Sequence, residues 1–405
     1  MNFLVTMSGG TTQVINSTLA GVIDGIRKFY PSAEIFIPKP GIVGLLEDNI
    51  YRVKWHGVDT KSLSKLPGSS VTGTTRIKIL DDDEIESLEA KLKELRIGTF
   101  INIGGSGTIK QSLQLSSKFK DIDFIALPKT IDNDLGDKEF KQLSYTPGYL
   151  SAIKYIISHT FNLIRENEGA CSSDKVLVSQ VFGRDTGHIG AISTLSGSDR
   201  VLTLFPERPV SWPNVKAKIE EKIKKHGGCV VVVPEGYQFD EHPEDGEVFQ
   251  KEYDLSGQVM WGSSHNSIAQ IISNRLNDDG IQSRISNTTI EQRQCFSLMD
   301  SNDIKRSYGI GYTAIGHRVR GRRNFFNSIQ MKEGGTYKTI AIDLADIKDF
   351  NRKFPTDWIT EDGFGVTKEF FAYIKSLNLG NVVAGKYYMD PLTIIEKYEA
   401  PKATK

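Results

Sequence analysis

The sequence predicts an α/β protein with two Rossmann-like lobes, mainly parallel sheets and a ligand-binding cleft between the lobes. Two observations predict this fold class. Short apolar runs alternate with amphipathic helical stretches, and most of the runs end in a glycine-rich or polar loop. The alternation occurs as two separate series. In such sheets, ligands bind at the carboxyl ends of the strands, where these loops lie.

The first series predicts four strands and the helices between them. The strands are expected at residues 3–7, 34–38, 99–103 and 123–127. Ser8-Gly9-Gly10 follows the first strand, and a helix with one apolar face comes next. The acidic run 81–84 is typical of a helix amino terminus. The loop Gly104-Gly105-Ser106-Gly107-Thr108 follows the third strand.

The second series begins near Lys175. Strands are expected at residues 176–182, 200–205 and 229–233, with a lysine-rich amphipathic helix at 212–226. Polar loops follow the first and the last of these strands, at Gly183-Arg184-Asp185-Thr186-Gly187-His188 and at Pro234-Glu235-Gly236. Further on, Arg284 and Arg293 are separated by a stretch that we interpret as β-like.

Charge and composition exclude several classes of partner. Lys plus Arg equals 50 and Asp plus Glu equals 50 in 405 residues, so no net field attracts nucleic acid or an anionic membrane. No apolar run approaches the roughly 18 residues of a membrane span. Three separated cysteines, Cys171, Cys229 and Cys295, indicate a reducing compartment. Together with the absence of a basic, signal-like start, this predicts a cytoplasmic protein.

The segment 128–135, with the sequence PKTIDNDL, carries the most informative chemistry. Asp132 and Asp134 lie one residue apart, close to Lys129, just beyond a strand. Phosphoryl transfer to an alcohol needs a base for the hydroxyl proton, carboxylates for Mg²⁺ and cations for the transferred group. The alternative is a turn rich in Asp and Asn with no catalytic role.

The other loops support a phosphate ligand only in combination. Guanidinium groups bind phosphate through two hydrogen bonds, which suits Arg184, Arg284 and Arg293. As isolated residues, Arg284 and Arg293 would more often form surface ion pairs, and Arg184 could pair with its neighbour Asp185. Glu235 suits hydrogen bonds from sugar hydroxyls, or simply ends a strand. Neither glycine loop fits the GxxxxGK[ST] or GxGxxG patterns of nucleotide-binding proteins.

Taken in order, these segments resemble the phosphofructokinase family, in particular its pyrophosphate-dependent branch. The most specific match is PKTIDND, at 128–134. It is accompanied by the matches Gly73-Thr74-Thr75-Arg76, Val181-Phe182-Gly183-Arg184, Pro234-Glu235-Gly236, Gln292-Arg293 and the late segment 358–365. The resemblance implies the phosphofructokinase fold. It also implies a donor lobe of residues 1–147 plus about 292–345, and a sugar-phosphate lobe of residues 148–291 plus about 346–405.

The resemblance implies phosphoryl transfer from pyrophosphate to the 1-hydroxyl of fructose 6-phosphate, a reversible step of glycolysis and gluconeogenesis. Asp132 would be the base, Asp134 would hold Mg²⁺, and Arg76 and Arg184 would stabilise the transferred phosphoryl group. The implied donor-binding residues are Gly10, Gly104, Gly105, Ser106, Gly107, Thr108 and Lys129. The implied sugar-phosphate residues are Thr130, Lys175, Phe182, Gly183, Glu235, Arg284 and Arg293, some of them supplied by a neighbouring subunit of a homodimer or homotetramer.

The residues expected to determine the phosphoryl donor point to two different donors. The ATP-using branch has glycine where this chain has Lys129, whose bulk and charge favour compact pyrophosphate. Gly107, in contrast, is typical of the ATP-using branch, and Ser106 stands where the family usually has an acidic residue. Two alternatives follow: an ATP-dependent 6-phosphofructokinase, or a catalytically weakened paralogue that binds sugar phosphate and regulates a partner.

Overall fold

The computed structural model describes residues 1–54, 58–69, 71–76, 81–170, 172–240, 267–347 and 351–379. Three parts of the sequence predictions lie outside these residues: Cys171, residues 241–266 of the second lobe, and its final residues 380–405. None of the helices in the described ranges is long and apolar enough to cross a membrane.

Strands and helices alternate along the chain as predicted. The strands are β1 (Asn2–Met7), β2 (Ile35–Pro38), β3 (Ile50–Arg52), β4 (Ile97–Gly104), β5 (Asp123–Pro128), β6 (Val176–Val181), β7 (Val201–Thr203), β8 (Cys229–Pro234), β9 (Ser283–Ile285), β10 (Phe325–Met331) and β11 (Tyr337–Asp343). The helices are α1 (Ile15–Phe29), α2 (Gly41–Leu46), α3 (Thr60–Lys65), α4 (Asp82–Glu94), α5 (Ser106–Lys118), α6 (Tyr149–Ala170), α7 (His188–Ala191), α8 (Trp212–His226), α9 (Ile268–Asp278), α10 (Ile290–Gln294), α11 (Ser301–Val319) and α12 (Lys368–Ser376).

The strands form two sheets. The larger has the order β11-β10-β5-β4-β1-β2-β3, and the smaller has the order β7-β8-β6-β9. The five central strands of the larger sheet, from β10 to β2, are parallel, and only its outer strands β3 and β11 are antiparallel to their neighbours. The smaller sheet is parallel throughout. The predicted fold class, α/β with mainly parallel sheets, is confirmed.

The side chains of β6, in the smaller sheet, point alternately into two different apolar cores. Leu177 and Val181 of β6 face a large apolar core shared with the seven-stranded sheet, whereas Val176 and Val178 face a second core formed with α8 and α9. This is the period of two expected of a strand that is buried on both faces. The two sheets are therefore held together by one continuous core, and their strand ends are fixed relative to each other.

Local sequence explains the start of α4. Asp81 and Glu84 form a reciprocal capping box at the start of α4, as the acidic run 81–84 predicted. One prediction was wrong: the stretch between Arg284 and Arg293 is β-like only as far as Ile285. Arg293 lies instead on the short helix α10. The lobe limits inferred from the sequence stay a prediction.

Candidate active site

Three loops lie together at one edge of the larger sheet, where the parallel strands β1, β4 and β5 end. The loops after β4 and β5 are joined by a hydrogen bond from Lys129 N to Gly104 O (2.9 Å). The loop after β1 is joined to the segment that contains Arg76 by a hydrogen bond from Gly9 N to Thr75 O (2.9 Å). The loop after β4 leads directly into α5, whose first residue is Ser106. The first N–H groups of a helix have no partner within the helix and attract anions. This edge is therefore suited to phosphate.

Lys129 fills the space between the first two loops. Its side chain is buried, and Nζ donates hydrogen bonds to Ser8 O (3.0 Å) and Gly10 O (2.5 Å). A Cβ atom added to Gly9 would lie 3.4 Å from the same nitrogen. Burial lowers the pKa of Lys129 to about 7, while the negative charge of Asp132 acts in the opposite direction. The lysine thus occupies space at the floor of the site and places a titratable charge there.

The turn after β5 carries the carboxylate pair. Asn133 separates the two aspartates and has a left-handed backbone conformation, with φ of 56°. Thr130 Oγ1 accepts a hydrogen bond from Asp132 N (3.2 Å) and donates one to Asp132 Oδ2 (3.2 Å). Burial raises the pKa of Asp132. Burial, followed by the charge of Asp132, raises the pKa of Asp134 to about 7.

The loops after β6 and β8 face this turn from the smaller sheet. Glu235 N donates to Val181 O (2.8 Å), so the two strand ends are joined. Gly183 adopts φ of +131°, a conformation that favours glycine. A Cβ atom on Gly236 would overlap the carbonyl oxygen of Arg184. These glycines allow the two loops to pack tightly and place Arg184 beside Glu235.

Arg293 connects the two groups of loops. Phe182 N donates to the side-chain Oε1 of Gln292 (2.9 Å), which fixes α10 against the end of β6. The Arg293 guanidinium carbon lies 4.6 Å from the centre of the Phe182 ring. A Cβ atom added to Gly10 would be 3.0 Å from Arg293 Nη1. Arg293 therefore reaches from Phe182, just after β6, to the first glycine loop.

The charges of these loops act on one another. Burial raises the pKa of Glu235 to about 7, and the negative charge of Asp132 adds to the increase. Three positive charges oppose it: Arg184, Arg293 and Arg76. Such effects are strong only over short distances in a protein. One crevice therefore contains the carboxylate pair, a third carboxylate, three arginines and Lys129.

Two predicted residues lie elsewhere in the same chain. Lys175 immediately precedes β6. Arg284 lies on the neighbouring strand β9, opposite Leu177, near the amino-terminal end of β6. Arg184 follows the opposite end of β6, so the length of that strand puts roughly 20 Å between the two groups. The Arg284 side chain is 62% exposed and forms an ion pair with Asp174 (2.8 Å). Within one chain, neither residue contributes to the crevice.

Comparison with known proteins assigns the family. The phosphofructokinase family profile matches residues 2–298. The chain belongs to the phosphofructokinase family. A protein of Halomonas elongata named pyrophosphate–fructose 6-phosphate 1-phosphotransferase is 28% identical, covering 94% of this chain and 92% of its own length. A protein of the same name from Methylococcus capsulatus is 26% identical, covering 93% of this chain and 91% of its own length.

A solved structure supports the same relationship. The crystal structure of a pyrophosphate-dependent phosphofructokinase from Nitrosospira multiformis matches with a TM-score of 0.81 and 27% identity, over 94% of this chain and 92% of that one. A relative named ATP-dependent 6-phosphofructokinase 3, from Bacteroides thetaiotaomicron, is 29% identical over 62% of this chain and 73% of its own length. Members of the family with both donor names are thus similar to this chain.

Two residues behind the crevice were missed by sequence reasoning. Arg352, with its buried side chain, and Tyr373 both contact Asn133 of the carboxylate turn. Gln292 belongs to the matched pair Gln292-Arg293 but was assigned no role from the sequence; it holds α10 against Phe182. Arg352 and Tyr373 lie beyond the residues matched by the phosphofructokinase family profile. Nothing in their local sequence signals a role, because they reach the site through packing of a distant segment.

The carboxylate turn is also where a metal ion fits. In the described ranges, no cluster of three or more His, Cys, Asp or Glu side chains forms a ready-made metal site. Asp134 Oδ1, however, is buried and has no hydrogen-bond partner among the described residues. Mg²⁺ is commonly held by one or two carboxylates together with substrate phosphates and water. The unsatisfied oxygen of Asp134 matches that requirement, whereas Ser106 offers only a hydroxyl.

Proposed function

We propose that this chain transfers a phosphoryl group from pyrophosphate to the 1-hydroxyl of fructose 6-phosphate, releasing phosphate and fructose 1,6-bisphosphate. The observation that carries the proposal is the crevice in which Asp132 lies among Arg76, Arg184, Glu235 and Arg293, with Lys129 at its floor. The similar proteins named for this reaction align along more than nine-tenths of the chain. The same step in reverse consumes fructose 1,6-bisphosphate and phosphate.

Asp132 is proposed as the general base. It accepts the proton of the sugar 1-hydroxyl while that oxygen attacks the terminal phosphorus of pyrophosphate, and the bridging oxygen leaves with the released phosphate. A base is most effective when its pKa lies near the working pH. The raised pKa of the buried Asp132 moves it in that direction. Glu235 would accept hydrogen bonds from the sugar hydroxyls and orient the ring.

The arginines provide electrostatic stabilisation. Charge spreads over the outer oxygens of the phosphoryl group during its transfer, and preorganised cations stabilise it at little reorganisation cost. We propose this role for Arg76 and Arg184. Arg293, which lies between Phe182 and Gly10, would bind the sugar phosphate on the side that faces the donor. Thr130, Phe182 and Gly183 would line the sugar-phosphate site beside it.

Lys129 is the reason for preferring pyrophosphate. Its side chain occupies the floor beside Gly9 and Gly10, where a glycine would leave room for a larger donor. The glycine loop 104–108 and the first turn of α5 would hold the donor phosphates. ATP-dependent phosphorylation is the alternative. Gly107 and the similar ATP-named proteins favour it, although those proteins align over less of the chain.

Mg²⁺ is proposed as the cofactor, held by Asp134 and the phosphate oxygens of the donor. When bound, the ion would neutralise phosphate charge. Ser106 cannot supply a carboxylate ligand, so the family's usual second acidic residue is missing here. This substitution motivates the third candidate, a weakened paralogue that binds sugar phosphate and regulates a partner. The buried carboxylate pair argues against that candidate.

We further propose a cytoplasmic homodimer or homotetramer. Lys175 and Arg284 would bind the 6-phosphate in the crevice of a neighbouring subunit, since both lie away from the crevice of their own chain. The donor lobe (1–147 and about 292–345) and the sugar-phosphate lobe (148–291 and about 346–405) would meet at the crevice. The participation of β10 and β11 in the larger sheet supports this division of the chain.

A donor assay tests the proposal. The purified chain is incubated with fructose 6-phosphate, Mg²⁺ and either pyrophosphate or ATP, and fructose 1,6-bisphosphate is followed. Turnover with pyrophosphate alone is the expected result. Turnover with ATP alone would establish the second candidate. Binding of fructose 6-phosphate without turnover on either donor would establish the third.

A further inference from the structure

Arg352 is buried directly behind the carboxylate turn. Its guanidinium donates three hydrogen bonds: Nε to Asn133 O (3.1 Å), Nη2 to Asn133 Oδ1 (2.9 Å) and Nη1 to Leu143 O (2.7 Å). Its backbone N–H donates to Asp134 O (2.6 Å). The guanidinium carbon also lies over the Phe140 ring, 4.0 Å from its centre. Every nitrogen of this side chain therefore has a defined partner.

These contacts determine the position of the two aspartates. Asn133 lies between them in a left-handed conformation, which is less favourable for a residue with a side chain. Arg352 binds both its carbonyl and its amide oxygen, and Tyr373 OH accepts a hydrogen bond from its Nδ2 (2.9 Å). Because both the backbone carbonyl and the side-chain amide of Asn133 are held, the directions of Asp132 and Asp134 are constrained as well.

The next two residues bind the opposite loop. Lys353 Nζ donates to Asp185 O (2.7 Å), immediately after Arg184. Phe354 N donates to Glu207 Oε1 (2.8 Å), and the carboxylate of Glu207 also accepts the Gly187 N–H (3.0 Å). The Phe354 ring is buried, 5.1 Å from the ring of His188. The consecutive residues 352–354 thus bind the carboxylate turn after β5 and also the loop after β6.

We infer that residues 352–354 form a bridge that sets the distance between Asp132 and Arg184, and that Arg352 and Lys353 are positioning residues for the phosphoryl transfer. This inference rests on the proposed function. Asp132, the proposed base, and Arg184, the proposed phosphate-binding arginine, follow strands of different sheets. The distance between them therefore depends on the contacts that join their two loops. The bridge lies beyond the matched residues 2–298, in a segment to which the family match assigns no role.

A purely structural role does not account well for Arg352. Among the described residues, its side chain is hydrogen-bonded only to carbonyl and amide oxygens, and no carboxylate forms an ion pair with it. A cation buried in this way is costly, and an apolar side chain of similar size would fill the same volume without that cost. The planar guanidinium instead supplies directional hydrogen bonds, which fix the positions of three acceptor oxygens at once.

The decisive variant is Lys353→Met, with Lys368→Met as the matched control. Both lysines are exposed and belong to the same segment, so neither change should affect folding. We expect Lys353→Met to lower kcat about 10-fold while the KM values for both substrates and the melting temperature stay near those of the unmodified chain. Arg352→Lys, which keeps the charge but not the fork, should lower kcat about 100-fold, as loosened catalytic geometry does. Lys368→Met should behave as the unmodified chain.

Amide hydrogen exchange provides a readout that does not depend on turnover. Lys353→Met should raise exchange in residues 183–188 and also in residues 130–134, because the bridge couples them. This measurement remains informative even when the unmodified chain makes no fructose 1,6-bisphosphate, which would refute the proposed function instead. A kcat within twofold of the unmodified chain for both variants, or faster exchange confined to residues 183–188 in Lys353→Met, would overturn the bridge.

Discussion

At the scale of single residues, Lys129 has the most demanding environment in the crevice. Its ammonium group is removed from water and bound by two backbone carbonyls, and burial brings its pKa down to about 7. Binding of a polyanionic donor beside it would favour the charged form. We therefore expect Lys129 to contribute both volume and charge to donor selection.

Two substitutions separate these contributions. Lys129→Met keeps most of the volume and removes the charge, whereas Lys129→Gly removes both. Loss of a charged hydrogen bond to the donor should raise the KM for pyrophosphate about 10- to 100-fold in both variants. Only Lys129→Gly should gain measurable turnover with ATP. An unchanged KM for pyrophosphate in Lys129→Met would show that the charge has no role in donor binding.

Glu235 offers a test of the electrostatics through stability. Its pKa in the folded chain is raised to about 7 by burial and by Asp132, from an ordinary value of 4.5. The folded state therefore holds the proton more tightly than the unfolded state. The stability that this group contributes is present at low pH and is lost as the pH rises through about 7.

Glu235→Gln should accordingly stabilise the chain at alkaline pH. We expect its free energy of unfolding at pH 8 to exceed that of the unmodified chain by about 1–3 kcal/mol. The difference should shrink at pH 5, where the glutamate is protonated in the fold. Denaturant unfolding at both pH values measures it, with the exposed Glu86→Gln as control. A stability difference independent of pH would contradict the assigned electrostatics.

Sequence reasoning located the residues that follow strand ends and missed those that support them. Asp132, Arg184 and Glu235 lie in the predicted crevice because parallel strands bring their loops to one edge. Arg352 is separated from Asn133 by more than two hundred residues of chain, so no local pattern indicates that they touch. Which donor marker dominates, Lys129 or Gly107, also depends on packing that the sequence does not specify.

At the scale of elements, the loops after β6 and β8 depend on glycine. Gly236 lies so close to Arg184 that a Cβ atom would overlap its carbonyl oxygen, a backbone atom that cannot rotate away. The loop of Arg184 would have to shift to accept any side chain. The position of Arg184, for which we propose a phosphate-binding role, is thus coupled to a residue without a side chain.

Gly236→Ala should therefore impair catalysis. We expect kcat to fall about 100-fold as Arg184 moves away from the transferred group, with the fold retained. The control is Gly169→Ala in α6, where an added Cβ atom meets no other atom within 4 Å. Steady-state kinetics and a melting curve for both variants provide the comparison. Normal turnover in Gly236→Ala would mean that the position of this loop does not limit the reaction.

Element prediction succeeded where periodicity is strong and failed where it is short. The helix expected at residues 212–226 is α8, Trp212–His226, because its lysines and apolar residues alternate clearly over 15 residues. The five-residue helix α10 was taken as β-like. Five residues are too few to show a helical period, and the position of α10 is fixed by the contact of Gln292 with Phe182, just after β6.

At the scale of the whole molecule, the location of Lys175 and Arg284 suggests shared active sites. Both lie at the far end of β6 from the crevice, and Arg284 is exposed with an ion pair to Asp174. If they bind the sugar phosphate, they do so in a neighbouring subunit. Each chain of such an assembly would need its neighbour to complete its sugar-phosphate site.

Subunit complementation tests this arrangement. Arg284→Ala and Asp132→Asn should each be nearly inactive. A mixed dimer should have one of its two sites intact, so an equimolar mixture of the two variants should regain about a quarter of the unmodified activity. Arg322→Ala is the matched control, because Arg322 is also exposed and paired with an aspartate, Asp343, at 3.0 Å. Absence of recovery in verified mixed dimers would assign Arg284 to a different role.

The two-sheet architecture was predictable because it follows from counting strand–loop–helix units. The assignment of β10 and β11 to the first sheet was expected only from the family resemblance, since nothing between residues 292 and 345 has a local signal for its partner strand. Pairing of Phe325 with Ile125 joins parts of the chain separated by about half its length. Long-range pairing of this kind is decided by the complete core.

The central claim is that Asp132 acts as the base for transfer from pyrophosphate to fructose 6-phosphate. The most direct measurement compares formation of fructose 1,6-bisphosphate by the unmodified chain and by Asp132→Asn, with substrate binding followed by calorimetry. We predict turnover with pyrophosphate in the unmodified chain, and a fall of about 1000-fold or more in the variant with substrate affinity retained. Equal turnover in the two proteins would contradict the claim.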